Sequence, residues 1–295
     1  METFASWKTM NKRRRQLSIL AAAVAAAVLA AAGAVPARAQ SQQQTSADRI
    51  SVKLTDPSRP ALVKASLVNG GITVKAYEGQ EVIVEARARH EEPEREASGG
   101  LRRLNIARTG LTVEEDNNEV RISTDSYLRP IDLILTVPVR TSLKLGAVND
   151  GDIAVTGVDG EMDVNDVNGS VTLNHVSGNC VAHALNGKVL ATFVRVSPQK
   201  PMAFSSLNGD IDVTFPPDLK ASVVIRSDRG DVFSDFDVQL QASAPQQTVE
   251  DSRGHGGKYR VRIDKSVRGT IHGGGPEYQF TNFQGSIYIR KGDAH

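Results

Sequence analysis

The chain contains one cysteine, Cys180, so no disulfide can form within it even in an oxidising compartment. No cysteine follows its apolar leader either, which removes anchoring as a lipoprotein. After residue 35 no segment is apolar enough to span a bilayer. Neither sign of charge dominates. The first 39 residues carry 6 of the 35 Lys and Arg and 1 of the 34 Asp and Glu, leaving 29 bases against 33 acids, a net of −4. That balance argues against nucleic acid, which calls for a basic patch or stripe, and is equally poor for anionic lipid. The signatures G-x-S-x-G and H-E-x-x-H are missing, as is any phosphate-cradling loop.

What is present begins with an export leader. Lys12, Arg13, Arg14 and Arg15 form a positive region, Leu17 to Val35 is uncharged and Ala-rich, and Ala37-Arg38-Ala39 supplies a small–x–small cleavage pattern. Residues 1–39 are therefore expected to be a signal peptide cleaved before Gln40, followed by a linker over 40–48. Residues 1–9 read as an upstream start, since Met10-Asn11-Lys12 would open an ordinary signal. The competing reading is an uncleaved anchor, because the apolar stretch nears the ~20 residues a membrane helix needs. With cleavage, the mature chain is expected to be soluble and periplasmic, extracellular or held at the cell surface by contacts alone.

A glycine then recurs every nine residues, at Gly151, Gly160, Gly169, Gly178 and Gly187. Asp150, Asp159, Asn168, Ser177 and Asn186 precede them. Ile153, Met162, Val171, Cys180 and Val189 stand two places after, and Val155, Val164, Leu173, Ala182 and Ala191 four places after. The unit Φ-[NDS]-G-x-Φ-x-Φ, with Φ apolar, returns around Gly209 and, weakly, around Gly285. An early copy is Val68-Asn69-Gly70-Gly71-Ile72-Thr73-Val74. Asn-Gly and Asp-Gly tolerate positive φ and place a tight turn. The Φ-x-Φ that follows has the period of a strand with one buried face. One strand and one turn cannot bury an apolar face alone, so the units must stack and share a core. Hairpins would use the same turns without requiring like residues at fixed offsets.

The expected fold is therefore all-β, a right-handed parallel β-helix or β-solenoid of short strands over 146–291, with a less regular strand-rich part over 49–145. A two-sided solenoid would use 18 residues per coil. The interval between Gly187 and Gly209 widens to 22, and Ser197-Pro198-Gln199-Lys200-Pro201 should bulge there. Residues 87–103 read as a charged loop or short helix, and 241–257 as a mobile polar excursion. Ile153, Val155, Val164, Val171, Leu173, Cys180 and Ile211 should point inward. Gly151, Gly160, Gly169, Gly178, Gly187, Gly209 and Gly285 are the expected turn residues.

These residues resemble a known family. Asn168-Gly169-Ser170-Val171-Thr172-Leu173 and Asn208-Gly209-Asp210-Ile211-Asp212-Val213 are similar to the repeat of the bacterial "putative adhesin" β-strand-repeat family, a domain of unknown function. The lead-in Ile131 to Pro138 and the closing Ile271-His272-Gly273-Gly274-Gly275-Pro276 with Gln284-Gly285-Ser286-Ile287 fit it too, so the resemblance covers 49–291. It implies a right-handed β-helix-like fold in envelope or secreted proteins, and carries no catalytic residues with it.

Several chemistries compete. Calcium-binding β-rolls share the nine-residue period, but the place after glycine holds Asp152, Glu161, Ser170, Asn179 and Lys188, not a file of carboxylates. A polysaccharide lyase or hydrolase could draw on Asp150, Asp152, Asp163, Asp166, Asp210, Asp212 or Asp231. Acid–base work needs a pair set across a substrate with separated pKa values, and the spacing singles out none. His175 and His183 should face opposite ways, and His255 and His272 lie in glycine-rich loops, short of the three or four convergent ligands zinc requires. Cys180 holds an apolar repeat position and reads as a buried hydrophobe. The expectation is an exported, non-catalytic, adhesin-like binding or structural module without cofactor or metal. Its partner would be an envelope or extracellular polysaccharide or protein, and Asp163, Thr172 and Asp212 its outward binding face. The alternatives are a carbohydrate-active enzyme and an envelope-signalling accessory.

Overall fold

The computed structural model describes residues 47–89, 109–125, 129–241, 247–251, 259–263 and 266–293. The leader and its cleavage site lie outside the described residues. So do most of the charged stretch 87–103 and, except for Gln241 and 247–251, the polar excursion 241–257.

Alternating inward side chains build every long strand. In β2 (Ala61–Asn69) Ala61, Val63, Ala65 and Leu67 are buried, and in β8 (Thr141–Asn149) Leu143, Leu145 and Ala147 are. The strands stack in two sheets. Sheet I runs β7 (Ile131–Pro138), β3 (Ile72–Tyr77), β9 (Ile153–Thr156), the start of β11 (Val171–Ala184), β12 (Val189–Val196), β14 (Ile211–Phe215), β22 (Ile287–Lys291) and β16 (Val232–Ser234), all neighbours parallel. Sheet II runs β6 (Glu119–Thr124), β2, β8, β10 (Asp159–Asp166), the end of β11, β13 (Met202–Asn208), β21 (Glu277–Gln284) and β15 (Ala221–Arg229), again all parallel. One strand from each sheet makes a coil. Ile153 pairs with Val171 and Val171 with Val189, so a coil here is 18 residues. The widened interval is the exposed loop 197–201 between β12 and β13.

The stack does not start at 146. The early repeat around Gly70 sits directly on the repeat around Gly151, with Asn69 opposite Asn149 and Ile72 opposite Ile153. The strand-rich stretch before 146 therefore supplies two coils, 61–77 and 119–138, of the same solenoid. Their nine-residue spacing is hidden because residues 78–118 interrupt it. The order of coils is also permuted at both ends. Coil 119–138 lies outside 61–77, and the last coil, 277–291, is inserted between 202–215 and 221–234.

Antiparallel strands then cover three of the four sheet ends. β4 (Glu81–Ala88) pairs with β7 and β1 (Ala47–Lys53) with β4; β5 (Leu111–Asp116) pairs with β6; β20 (Val267–Ile271) pairs with β15 and β17 (Val238–Leu240) with β20. β18 (Gln247–Asp251) and β19 (Tyr259–Ile263) pair with each other.

The core between the sheets is continuous. Ile153, Val155, Val164, Val171, Leu173, Cys180 and Ile211 are all buried, and burial pushes the Cys180 thiol far above its ordinary pKa. Toward the C-terminal end Phe193, Phe204, Phe215, Tyr278 and Phe280 pack with centroids 5.4–6.4 Å apart, in stacked, tilted and edge-on pairs.

The repeat glycines are explained by close approach more than by backbone sign. Of Gly151, Gly160, Gly169, Gly178, Gly187, Gly209 and Gly285 only Gly178 and Gly285 have positive φ, as does Gly70 in the early copy. A Cβ on Gly169, Gly187 or Gly209 would collide with the carbonyl oxygen of Gly151, Gly169 or Gly187 in the coil before, so these backbones touch at each corner. Beside this column the Asn side chains form a ladder. Asn168 Nδ2 donates to Asn149 Oδ1 at 2.8 Å, Asn186 to Asn168 at 2.8 Å, and Asn208 to Asn186 at 2.7 Å. Asn186→Leu removes two of these bonds and leaves two amides short of a partner. A loss of about 1–2 kcal/mol is expected in chemical denaturation; no change would mean that the ladder is a consequence of the stacking, not a contributor to it.

Candidate functional site

A concave feature lies on that corner. It is an open cleft of about 620 Å³ lined by Asn69, Arg89, Asn149, Asp150, Gly151, Asp152 and Asn168. Three coils supply its floor, and the end of β4 supplies Arg89.

Arg89 is fixed in place. Its Nε reaches both Asp132 oxygens at 2.8 and 2.9 Å, Nη2 reaches Oδ1 at 2.6 Å, and Nη1 donates to the carbonyl oxygen of Asp150. Burial opposes ionisation of Asp132, but the bonds from Arg89 and from the Gly71 N–H outweigh it and hold the carboxyl below its usual range. The same pairing raises the Arg89 pKa. Asp150 adopts φ 61°, the left-handed conformation that Asp and Asn tolerate. Asp152 accepts the Ser170 N–H of the next coil at 2.7 Å. The position after glycine thus serves as an inter-coil clasp, used again where Asp210 accepts the Ser286 N–H at 3.0 Å.

Asp166 lies beneath this floor with 0% of its surface exposed, and neither carboxylate oxygen has a hydrogen-bond partner of normal geometry. Burial, reinforced by Asp152, pushes its pKa up to about 6 against partial compensation from the N–H groups of 167–169.

The three residues expected to share an outward face do not come together. Thr172 and Asp212 are on sheet I, both opposite Leu190. Asp163 is on sheet II, opposite Val181 and 3.5 Å from Lys144 Nζ. Asp163 and Thr172 are nine residues apart, which is one strand, and successive strands belong to opposite sheets. Asp212 is engaged by Arg290, whose Nε and Nη2 donate to it at 2.7 and 3.0 Å. Arg290 lies 5.1 Å from the Tyr288 ring centroid, and Tyr288 stacks on Phe233 at 5.1 Å. This aromatic patch on sheet I went unread in the sequence, because its members come from three strands far apart in the chain. The turn glycines Gly151, Gly160, Gly169, Gly178, Gly187, Gly209 and Gly285 all stand where the chain passes from one sheet to the other. Of Asp231, the N–H lies 3.4 Å from Ser286 Oγ. His183 Nδ1 is 2.7 Å from Ser205 Oγ, His272 Nδ1 is 2.7 Å from the Leu219 oxygen, and His175 is an exposed corner residue; His255 lies outside the described residues. Among the described residues no three His, Cys, Asp or Glu converge as metal ligands.

A family model described as Toastrack DUF4097 matches residues 45–271. The chain belongs to the Toastrack DUF4097 family. The Toastrack match stops at the end of β20, although the following coil, 277–291, sits inside the same stack. Two solved structures are similar over 83% of this chain. One is described as a "putative cell adhesion protein" from Clostridium sporogenes ATCC 15579, 9% identical, wholly covered, TM-score 0.40. The other is a "putative adhesin" from Bacteroides fragilis NCTC 9343, 12% identical, 96% covered, TM-score 0.37. No curated protein matches the chain.

Proposed function

We propose that this chain is an exported, non-catalytic binding module of the bacterial envelope or cell surface. Its cleft would receive a hydroxyl-rich ligand such as an envelope or extracellular polysaccharide. The observation that carries the reading is the cleft itself. Amide and carboxylate side chains stand on successive coils about 4.8 Å apart, beside a guanidinium already immobilised by Asp132. Hydroxyl groups both donate and accept, which suits such a mixed lining, and a pre-positioned Arg loses little entropy on binding. The export leader supports the location. A right-handed winding belongs to the same reading, since twisted strands joined by a crossover into a parallel neighbour favour that hand.

The carboxylates favour binding over turnover. Asp132 holds Arg89, Asp152 and Asp210 clasp backbone amides, and Asp212 holds Arg290. Each is committed to joining coils. One observation favours the enzyme alternative: Asp152 and Asp166 are neighbouring carboxyls, and the pKa of Asp166 is raised. Acid–base pairs show such neighbours with separated pKa values, but Asp166 has no surface with which to touch a substrate.

The test screens the purified protein against bacterial and host polysaccharides, with and without a chelator. Asp150→Asn keeps the left-handed backbone and removes a charge from the cleft. It should weaken binding about tenfold, or ~1.4 kcal/mol, without lowering the melting temperature, while Asp163→Asn on sheet II leaves affinity unchanged. Polymer shortening abolished by Asp152→Asn would establish the enzyme instead, and affinity lost on chelation would overturn the metal-free reading.

A further inference from the structure

One inward row of sheet II runs through Leu67, Ala147, Asp166, Ala184, Ser206 and Asn282, each opposite the next in register. It lies directly under the column of corner glycines. The polar members at 206 and 282 do the same thing. Ser206 Oγ donates to the carbonyl oxygen of Gly187 at 2.9 Å, and Asn282 Nδ2 donates to that of Gly209 at 2.8 Å. In each case a side chain ties its own coil to the corner glycine of the coil stacked before it. For Asp166, whose own corner glycine is Gly169, the equivalent acceptor is Gly151. The Gly151 carbonyl oxygen and Asp166 Oδ2 both border the point that a Cβ on Gly169 would occupy. An ionised carboxylate has no hydrogen to give, so it cannot make the bond that Ser206 and Asn282 make.

We propose that Asp166 is held as a neutral carboxylic acid whose O–H donates to the Gly151 carbonyl oxygen, a proton-dependent tie between coils 141–156 and 159–174. The surroundings suit a bound proton. The row neighbours Ala147 and Ala184 carry no charge, and the charge of Asp152 repels an ionised Asp166. Across the cleft, Arg89 is neutralised by Asp132 and its field is shared with Asp150; on the following coil, Lys188 is paired with Asp210 at 3.3 Å. Both of these cations are therefore already paired with other carboxylates.

The sign follows from the raised value. A carboxyl at 3.8 when unfolded and about 6 when folded binds its proton more tightly in the folded chain. Its contribution is complete below pH 3.8 and drains away as pH rises through about 6. Above that, a buried charge replaces the bond, and the joint under the cleft loosens. This holds whatever the cleft binds.

The direct test is a carboxyl ¹³C NMR titration of Asp166 in the full protein, with thermal melts of wild type, Asp166→Asn and Asp166→Ser between pH 4 and 8. Asp166 should titrate near pH 6, and the wild-type melting temperature should fall across that step relative to Asp166→Asn. Asp166→Asn and Asp166→Ser, which copy the residues at 282 and 206, should remove the fall. Amides of 150–153 and 168–171 should exchange faster at pH 7.5 in wild type than in Asp166→Asn. A midpoint near 3.8, or the same pH dependence kept in both variants, overturns the proposal. If neither variant folds, the wild-type titration decides alone.

Discussion

Val171→Asp is expected to destabilise the protein by several kcal/mol, on the order of 3 or more, while Thr172→Asp one residue away costs under about 0.5. Val171 has 0% exposure and lies between Ile153 and Val189 in the inward row of sheet I, so a carboxylate there would be buried among aliphatic side chains with no partner. Thr172 points out of the same strand, between Ala154 and Leu190, where an added charge stays in water. Comparing the two melting temperatures checks the register directly. Equal values would mean that the strand is not placed as described.

Gly187→Ala is expected to cost about 2–3 kcal/mol through overpacking, although alanine is usually the better residue in ordered backbone. Gly187 has no positive φ to lose. Its difficulty is contact: the new methyl would strike the carbonyl of Gly169 and the nitrogen of Ser170, backbone atoms that can move only by prising the coils apart. Gly146→Ala provides the contrast. The nearest atom to its Cβ would be Ser66 Cβ at 3.7 Å, an ordinary contact. That variant should be neutral or gain up to about 1 kcal/mol from the restricted unfolded chain. Denaturant midpoints for the pair separate the two effects; similar losses in both would show that these glycines matter for flexibility and not for spacing.

The repeat was legible because stacking imposes one environment on many residues. Every coil that brings its backbone against the next needs glycine at the corner, an amide or small polar side chain beside it, and apolar side chains at the second and fourth places beyond. Residues 146–213 therefore repeat visibly, and Ile153, Val164 and Cys180 could be placed inward from spacing alone. Register with 61–77 was partly legible, since Val68-Asn69-Gly70 copies the unit, but the intervening strands and charged stretch hid the continuity. The cleft was not legible. Arg89 comes from a covering strand, finds Asp132 in β7 and leans over Asp150, and no fixed spacing links these three. Nothing in its spacing sets Asp166 apart from the other aspartates, because Asp is common near turns. Only the register shows it turned inward, in a row it shares with Ser206 and Asn282.

The permuted end coils govern the order in which this molecule can assemble. A solenoid that grew by laying each new coil on the last would finish with its final residues outermost, and could fray from them. Here β22 lies between β14 and β16, so the coil made of residues 221–234 cannot rest on coil 202–215 and joins the stack only when residues 277–291 have entered beneath it; until then β15 has only the covering strand β20 beside it. In a chain emerging N-terminus first, residues 221–234 must therefore wait for residues 277–291 before they enter the stack. The same geometry makes the C-terminal strand a keystone: it cannot peel away alone, because leaving would break parallel contacts on both of its edges at once.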